Sequence, residues 1–422
     1  MCKTVFAISS FFLCVSALAQ ETAPEYKSPR QWSTAAQVAQ NQKDYALAIT
    51  DYKQAMAGGY INSNNLYDLA CAYALVNQSG EALVALEKSI AMGFHSAAQV
   101  QSDSDLSKLH TDPRWVKIIE RVKKNAASYH SSHSDPEGFK IVTSDIDLFW
   151  KAYDQLPAQR EPSAFLEHNY LDPGTAGLHG FIVHRIDSGE KLNQAIKDHP
   201  KFYAAIRNNT LHLASVEPQV RAAMRKFKAI YEDADFPDVY FIVGRFSSGG
   251  TASSDGLIMG AEIFSGGPGI PVDELDDWQR SVIETSDPLP SIVAHELMHF
   301  QQNYDSSDML GGIIKEGSAD FLASLVTDGN FNQRIYDYGY AHESELRALF
   351  LRDMKKNDSS NWLYHGSKTK DRPADLGYFM GFRITQAFYQ RAPDKKQAVI
   401  DILNIKDFNK FVQDSGYFEE FK

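Results

Sequence analysis

Two histidines four positions apart are the residues of this chain with the clearest chemical potential. Residues 291–301 read SIVAHELMHFQ, in which His295 and His299 flank Glu296. On a helix, side chains at positions i and i+4 project from one face, so both imidazoles can reach a single metal ion. Glu296 would lie beside that ion, positioned to touch a bound water. This HExxH arrangement is typical of sites where two neutral imidazoles bind Zn²⁺ and the glutamate acts as a general base.

A second predicted helix supplies acidic groups. Residues 311–325 read GGIIKEGSADFLASL and carry Glu316 and Asp320 one turn apart. A catalytic zinc site needs a third protein ligand, which Glu316 can provide. Asp320 can accept the other ring N–H of a ligating histidine and so fix its tautomer. We therefore predict one Zn²⁺ per chain, bound by His295, His299 and Glu316. The alternative is an amphipathic helix whose histidines only satisfy hydrogen bonds in the core.

The pattern of histidines and acids resembles the gluzincin metallopeptidases, in which HExxH is followed by Glu-x-x-x-Asp on the next helix. The match covers residues 295–320, and the EGSAD stretch is also similar to secreted bacterial predicted zinc proteases. The resemblance implies a zincin-like α+β fold and a zinc metallopeptidase, with endopeptidase action expected. A metal-activated water would attack the peptide bond, with Glu296 as the general base. An oxyanion donor is implied as well, for which Tyr378 is the first candidate and Tyr364 and His365 are the others.

Short strands are predicted on the N-terminal side of the metal helix. Residues 239–244 (VYFIVG) and 257–264 (LIMGAEIF) have the apolar character of strands, and the Gly-rich residues 249–256 predict a turn between them. The second strand could be an edge strand that pairs with an extended peptide, although an interior strand would have the same character. Helical and strand-like stretches alternate from residue 139 onward, which predicts an α+β domain over residues 139–422.

A 34-residue period precedes this domain. Residues 35–60 align with residues 69–94 at an offset of 34, with small and large apolar residues recurring at helical spacing. One helical hairpin per unit is the pattern of tetratricopeptide-like repeats. We predict an all-α repeat domain over residues 20–125, closed by a third helical unit at 104–124. Its role stays open between recruitment of a substrate or partner and a rigid spacer.

Both ends of the repeat domain are marked by their composition. Residues 1–19 combine a positive charge, an apolar run and the small-residue pattern ALA at 17–19, which together predict a signal peptide. Cys14 would suit a lipoprotein, but residues 11–13 before it lack the small side chains that such processing prefers. Residues 126–138 are small and polar, which predicts a linker. We therefore expect an exported protein that is periplasmic or secreted.

The overall composition limits the possible partners. Lys and Arg number 42 against 54 Asp and Glu, which gives a formal net charge of −12. This balance is unsuited to nucleic acid, and no segment after the signal is apolar and long enough to span a membrane. With 3 Cys in 422 residues, a disulfide-stapled scaffold is excluded. The sequence favours an exported zinc metallopeptidase whose repeats recruit a peptide or protein substrate or a partner. The alternative is a non-catalytic exported scaffold with a structural zinc domain.

Overall fold

The structure, a computed structural model, describes residues 27–304, 306, 308–329, 332–354, 357–363 and 372–419. The predicted signal peptide with Cys14, and the oxyanion candidates Tyr364 and His365, lie outside the described residues. Within these ranges the chain is mostly helical and has one sheet of four short strands. None of the described helices is both long and apolar enough to cross a membrane.

The N-terminal part consists of α1 (Pro29–Asn41), α2 (Tyr45–Ala57), α3 (Ser63–Leu75), α4 (Ser79–Ala91), α5 (Ala97–Ser102) and α6 (Arg114–His133). The first four form two hairpins, and each helix of the second hairpin begins 34 residues after its counterpart. Positive φ angles recur at the same offset, at Lys43 and Asn77 (64° each) and at Gly59 (91°) and Gly93 (99°). The sequence period therefore corresponds to one helical hairpin per unit.

Side-chain caps determine where the first helices begin. The side chains of Ser28, Asp44 and Asn62 accept backbone N–H groups from the first turns of α1, α2 and α3 respectively. These N–H groups have no partner inside the helix, so the caps satisfy donors that would otherwise be left without one. The small polar residues between the helices thus define the helix boundaries as well as the turns.

The linker prediction for residues 126–138 needs a correction, because α6 continues to His133. The ring of Tyr129 explains the continuation, since it stacks between His95 and His133 with centroid distances of 3.9 Å on each side. These ring contacts give the polar end of α6 a surface to pack on. The third helical unit is present as a 3-10 helix at Ser104–Leu109 followed by α6.

The sheet contains β1 (Ile141–Val142), β2 (Val239–Ile242), β3 (Gly250–Ser253) and β4 (Gly256–Gly260), in the order β1-β2-β4-β3. β1 pairs with β2, and β2 with β4, in parallel, while β3 and β4 form an antiparallel hairpin. Two expectations need correction. The segment 249–256 contains β3 in addition to a turn, because the chain there pairs with β4. Strand β4 is interior, so the edge strand beside the metal helix is β3.

The remaining helices belong to the C-terminal part. They are α7 (Ser144–Tyr153), α8 (Pro162–Leu166), α9 (Ala176–Phe181), α10 (Gly189–Asp198), α11 (Pro200–Ala205), α12 (Arg207–Leu211), α13 (Glu217–Ile230), α14 (Asp277–Val282), α15 (Leu289–Gln301), α16 (Met309–Val326), α17 (Gln333–Ala341), α18 (Glu343–Met354), α19 (Gly377–Arg391), α20 (Lys395–Leu403) and α21 (Phe408–Ser415). Helix α16 packs between α15 and α19. Glycines allow α16 and α19 to cross closely, since a Cβ on Gly317 would lie 2.4 Å from the Gly381 Cα. This crossing fixes the face that α16 presents to α15.

Buried apolar side chains form two separate clusters, one within residues 36–122 and one within residues 139–417. Arg30 connects the two parts. Its guanidinium is buried and pairs with Glu167, and its Nε lies 2.8 Å from Asp172 Oδ1. A buried cation between two carboxylates holds α1 against the C-terminal part, because separating them would leave charge without a partner. The domain bounds themselves stay predictions.

Candidate metal centre

The crossing of α15 and α16 brings the three predicted metal ligands together. His299 Nε2 lies 3.2 Å from Glu316 Oε2, and His295 Nε2 lies 3.5 Å from the same oxygen. The three ligand atoms all lie within 4.8 Å of one another. Neighbouring ligands of a tetrahedral zinc with bonds of about 2.0–2.1 Å are about 3.3 Å apart. The donor set and its spacing therefore fit a zinc ion.

Asp320 orients the first histidine, as expected from its position one turn after Glu316. Its Oδ1 accepts from His295 Nδ1 at 2.7 Å. Its Oδ2 accepts from the Tyr336 hydroxyl at 2.7 Å and from Asn332 Nδ2 at 3.2 Å. The tautomer of His295 is thereby fixed with the proton on Nδ1, and Nε2 is directed at Glu316. No motif pointed to Tyr336 or Asn332, because they lie in and just before α17, outside the two helices that carry the predicted ligands.

Gln302 orients the second histidine and was also absent from the sequence prediction. Its Oε1 accepts from His299 Nδ1 at 2.8 Å. Its Nε2 donates to the Lys315 carbonyl at 2.9 Å and to Ser318 Oγ at 3.0 Å. The amide thus connects the end of α15 to the middle of α16. The spacing of His299 and Gln302 could have predicted this contact, because a residue three positions after a helical histidine lies on the same face of the helix.

Burial and neighbouring charges shift the pKa values of His295 and Glu316 in opposite directions. Burial disfavours the charged form of His295, but hydrogen bonds to Asp320 and Glu316 outweigh it and raise the pKa of His295 well above its usual range. Burial likewise opposes ionisation of Glu316, but His299 and His295 lower its pKa well below the usual range. Glu316 is therefore an anion that faces two imidazoles. A divalent cation would supply the positive charge at this place and leave both rings neutral.

Glu296 and Tyr378 lie at the mouth of the cluster. Glu296 is 8% exposed and packs under the edge strand, where a Cβ on Gly250 would lie 2.6 Å from its Oε1. Burial raises the pKa of Glu296, although His295 and His299 oppose the rise. Tyr378 lies in the first turn of α19, and its ring centroid lies 6.1 Å from that of His295. Both side chains line a cleft of about 460 Å³ that the three predicted ligands also line.

A second group of potential ligands lies in the N-terminal part, where Cys71, Asp103 and Asp105 also come within reach of one ion. Cys71 Sγ is 3.6 Å from Asp103 Oδ2. Burial raises the pKa of the Cys71 thiol strongly, and the nearby carboxylate of Asp103 raises it further. Binding of a metal by Cys71 would require loss of this proton. The cluster on α15 and α16 offers two imidazoles and a carboxylate, the donor set found in catalytic zinc sites, and is the stronger candidate.

The fold and the site together define a mostly helical protein with a candidate metal-binding cluster between two helices. The family model described as gliding motility protein GldB matches residues 131–419, which is more than half of the chain. The chain therefore belongs to the GldB family of gliding motility lipoproteins. The match begins inside α6, so α1–α5 lie outside it. No curated protein and no solved structure matches the chain.

Membership of this family overturns the peptidase interpretation. The assignment to the gluzincins, the enzyme class and the hydrolase function are wrong, because the family is one of gliding motility components. The specific match of the resemblance covered only residues 295–320. Two histidines one turn apart can predict a metal site, but they do not predict a reaction. The roles of general base for Glu296 and oxyanion donor for Tyr378 depended on that reaction and are not carried further.

The family also bears on where the chain acts. A lipoprotein is an exported protein, which agrees with the export prediction in its coarse form. The hypothesis that Cys14 is a lipoprotein cysteine was disfavoured because residues 11–13 lack small side chains. The family supports this hypothesis. Cys14 lies outside both the described residues and the matched range. A gliding component acts with other proteins, so the expectation of a protein partner holds in its coarse form, without a substrate.

Proposed function

We propose that this chain is an exported, non-catalytic binding component of a gliding assembly, in which one Zn²⁺ on His295, His299 and Glu316 holds α15 to α16. The observation that carries the zinc is the convergence of three ligand atoms within 4.8 Å, with each imidazole oriented by a second hydrogen bond. Family membership supports a role in assembly rather than turnover.

The ion would have a structural effect because its ligands come from two helices. Buried Glu316 and the two histidines would be cross-linked by one cation, and metal binding would add directly to the free energy of unfolding. Three protein ligands leave one coordination position, which faces the cleft beside Glu296 and Tyr378. Water would occupy it in the free protein, and a donor group of a bound partner would occupy it in the assembly.

The helical hairpins α1–α4 are the second part of the proposal. Their 34-residue period, with one helical hairpin per unit, supports a tetratricopeptide-like module. Modules of this kind present concave surfaces to other proteins. We assign to them the recruitment of a partner of the gliding assembly, while the C-terminal part carries the metal.

Metal content tests the zinc centre. Protein purified from zinc-supplemented medium is expected to hold about one zinc per chain by elemental analysis, and chelation is expected to lower its Tm. Variants His299→Ala and Glu316→Gln are expected to lose the metal. Cys71→Ala is the matched control, because it alters the other candidate cluster and is expected to keep the zinc. Wild type without stoichiometric metal, or a Tm that chelation leaves unchanged, would contradict the proposal.

Motility tests the non-catalytic role. In the organism from which the chain comes, deletion of the gene is expected to abolish movement over a surface, and the wild-type gene is expected to restore it. A gene with Glu296→Gln keeps the shape of the cleft and removes the carboxylate next to the ligands. Equal restoration by this gene is the expected result. Loss of movement at normal protein level and metal content would argue against a purely binding role.

A further inference from the structure

A groove separates the helical hairpins from the C-terminal part. We propose that this hairpin groove, lined by Gln37, Asn65 and Asp68 on one side and by His179 and Asp255 on the other, binds an extended peptide segment of a partner protein that carries a basic side chain. The proposal rests on the binding role given above and names the chemistry of the partner. It uses none of the metal ligands.

The groove has the size and rigidity of a binding site. Its volume is about 530 Å³, within the range of about 300–1,000 Å³ found for ligand sites. Direct contacts fix its two walls relative to each other. The Tyr60 hydroxyl lies 3.1 Å from His179 Nδ1, and Asn64 Nδ2 donates to Ser254 Oγ at 2.9 Å. The groove therefore exists before any ligand binds.

Asn65 provides the first sign of a missing partner. Its side chain is 4% exposed, and among the described residues its Nδ2 has no hydrogen-bond partner. Buried amide donors are almost always paired, so this one calls for an acceptor. The carbonyl of a peptide backbone in the groove would supply it. Gln37 lines the same groove, and its amide already donates to Asp68, which leaves its carbonyl oxygen to accept from a backbone N–H of the peptide.

Two carboxylates provide the second sign. Neither Asp68 nor Asp255 belongs to an ion pair among the described residues, and burial raises the pKa of both. Burial also lowers the pKa values of His95 and His179, so these rings are neutral near pH 7 and do not balance the acids. A cation of the ligand would face carboxylates on both walls of the groove.

Arg30 and Tyr60 limit the chemical class of ligand that the groove can bind. Arg30 also lines the groove, but Glu167 and Asp172 already hold its guanidinium. The ring of Tyr60 lines the groove as well, and its face can stack on a guanidinium or ammonium group. A free polyamine or metal ion would satisfy the carboxylates and leave Asn65 Nδ2 without a partner. A basic peptide satisfies both sets of groups.

Selection from a displayed library of random heptapeptides tests the proposal on the full-length, metal-loaded protein. We expect enrichment of sequences with Arg or Lys. The synthetic form of an enriched peptide is then titrated by calorimetry, together with the same peptide in which Gln replaces the basic residue. At least tenfold weaker binding of the Gln peptide is expected. No enrichment, or enrichment without a basic residue, would overturn the proposal.

Variants from both walls locate the site. Asn65→Ala and Asp255→Asn are each expected to weaken binding of the enriched peptide at least fivefold, and Asp328→Asn, an exposed control far from the groove, is expected to leave it unchanged. Because the variants lie on different elements, misfolding of one leaves the other informative. Binding of the peptide by Asp255→Asn as tightly as by wild type would overturn the peptide site. Spermidine is also tested as a competitor. The site would be overturned as well if the same spermidine concentration displaced the peptide from wild type and from Asn65→Ala. The zinc content of each variant is measured alongside, so failure of the groove and failure of the metal centre are distinguishable.

Discussion

The helix pair α15–α16 and the hairpin groove both bury polar side chains, but only the helix pair satisfies them internally. In the helix pair, Asp320 has donors on both oxygens and Gln302 has partners at both ends of its amide. In the groove, the Nδ2 of Asn65 has no partner among the described residues. Completed networks add rigidity, whereas a buried group without a partner costs free energy unless a ligand supplies one. The difference indicates that the helix pair serves to hold its two helices together, whereas the hairpin groove serves to bind another molecule.

Breaking the completed network is expected to give the largest effect. Asp320→Ala removes the acceptor that His295, Tyr336 and Asn332 share. Removal of one member of a buried charged pair costs about 3–5 kcal/mol, and we expect a loss of that size in the free energy of unfolding by urea. Asp328→Ala is the control, because its side chain is 99% exposed and should change stability by less than about 0.5 kcal/mol. Equal, small losses for both variants would show that the network contributes little.

The groove is expected to show itself in the pH dependence of stability. Burial raises the pKa of Asp68 from 3.8 to about 6, against the hydrogen bonds from Tyr52 and Gln37. The folded state therefore binds this proton more tightly than the unfolded chain. Its contribution is fully present below pH 4 and is lost as the pH rises through 6, by up to about 3 kcal/mol. Asp68→Asn should remove this part of the pH profile, as measured by urea unfolding from pH 4 to pH 7. An unchanged difference between variant and wild type across that window would contradict the expected titration.

The sequence predicted which side chains of the helix pair lie together better than it predicted their surroundings. The proximity of His295, His299, Glu316 and Asp320 could be predicted because helical spacing is local and repeats every three to four residues. The walls of the groove could not, since Asn64 and Ser254 meet across 190 positions of the chain. Such contacts depend on how whole elements pack, and short motifs do not encode that.

Two errors have related physical causes. β3 was predicted as part of a turn because Gly, Ser and Thr dominate residues 249–254, and it becomes a strand by pairing with the buried β4. The peptidase assignment failed because the HExxH spacing specifies where two imidazoles point. It does not specify a reaction, and the family match over residues 131–419 is to gliding motility proteins. In both cases a structure or a function was inferred from a local pattern, although it depends on residues that are distant in the sequence.

Replacing a satisfied amide with an apolar residue is expected to have a moderate effect. Gln302→Leu removes the acceptor of His299 and the donor to Lys315 and Ser318. Leaving buried groups unpaired costs about 1–3 kcal/mol, so we expect the free energy of unfolding to fall by about 2 kcal/mol. Urea denaturation of the zinc-free protein is the measurement, because it separates this effect from metal binding. No loss would mean that the amide network is dispensable without the ion.

The same kind of substitution in the groove is expected to have the smallest effect and the opposite sign. Asn65→Leu removes a buried donor that has no partner, and the larger side chain can extend into the adjoining cavity. The free protein should therefore gain about 1 kcal/mol in the free energy of unfolding, since an unsatisfied polar group is exchanged for an apolar one. The variant should at the same time lose affinity for the enriched basic peptide. Because gain of stability and loss of binding come from one side chain, they can be measured on a single sample by urea denaturation and calorimetry. Destabilisation with unchanged peptide affinity would indicate that Asn65 serves the fold, and the contrast between the two regions would then disappear.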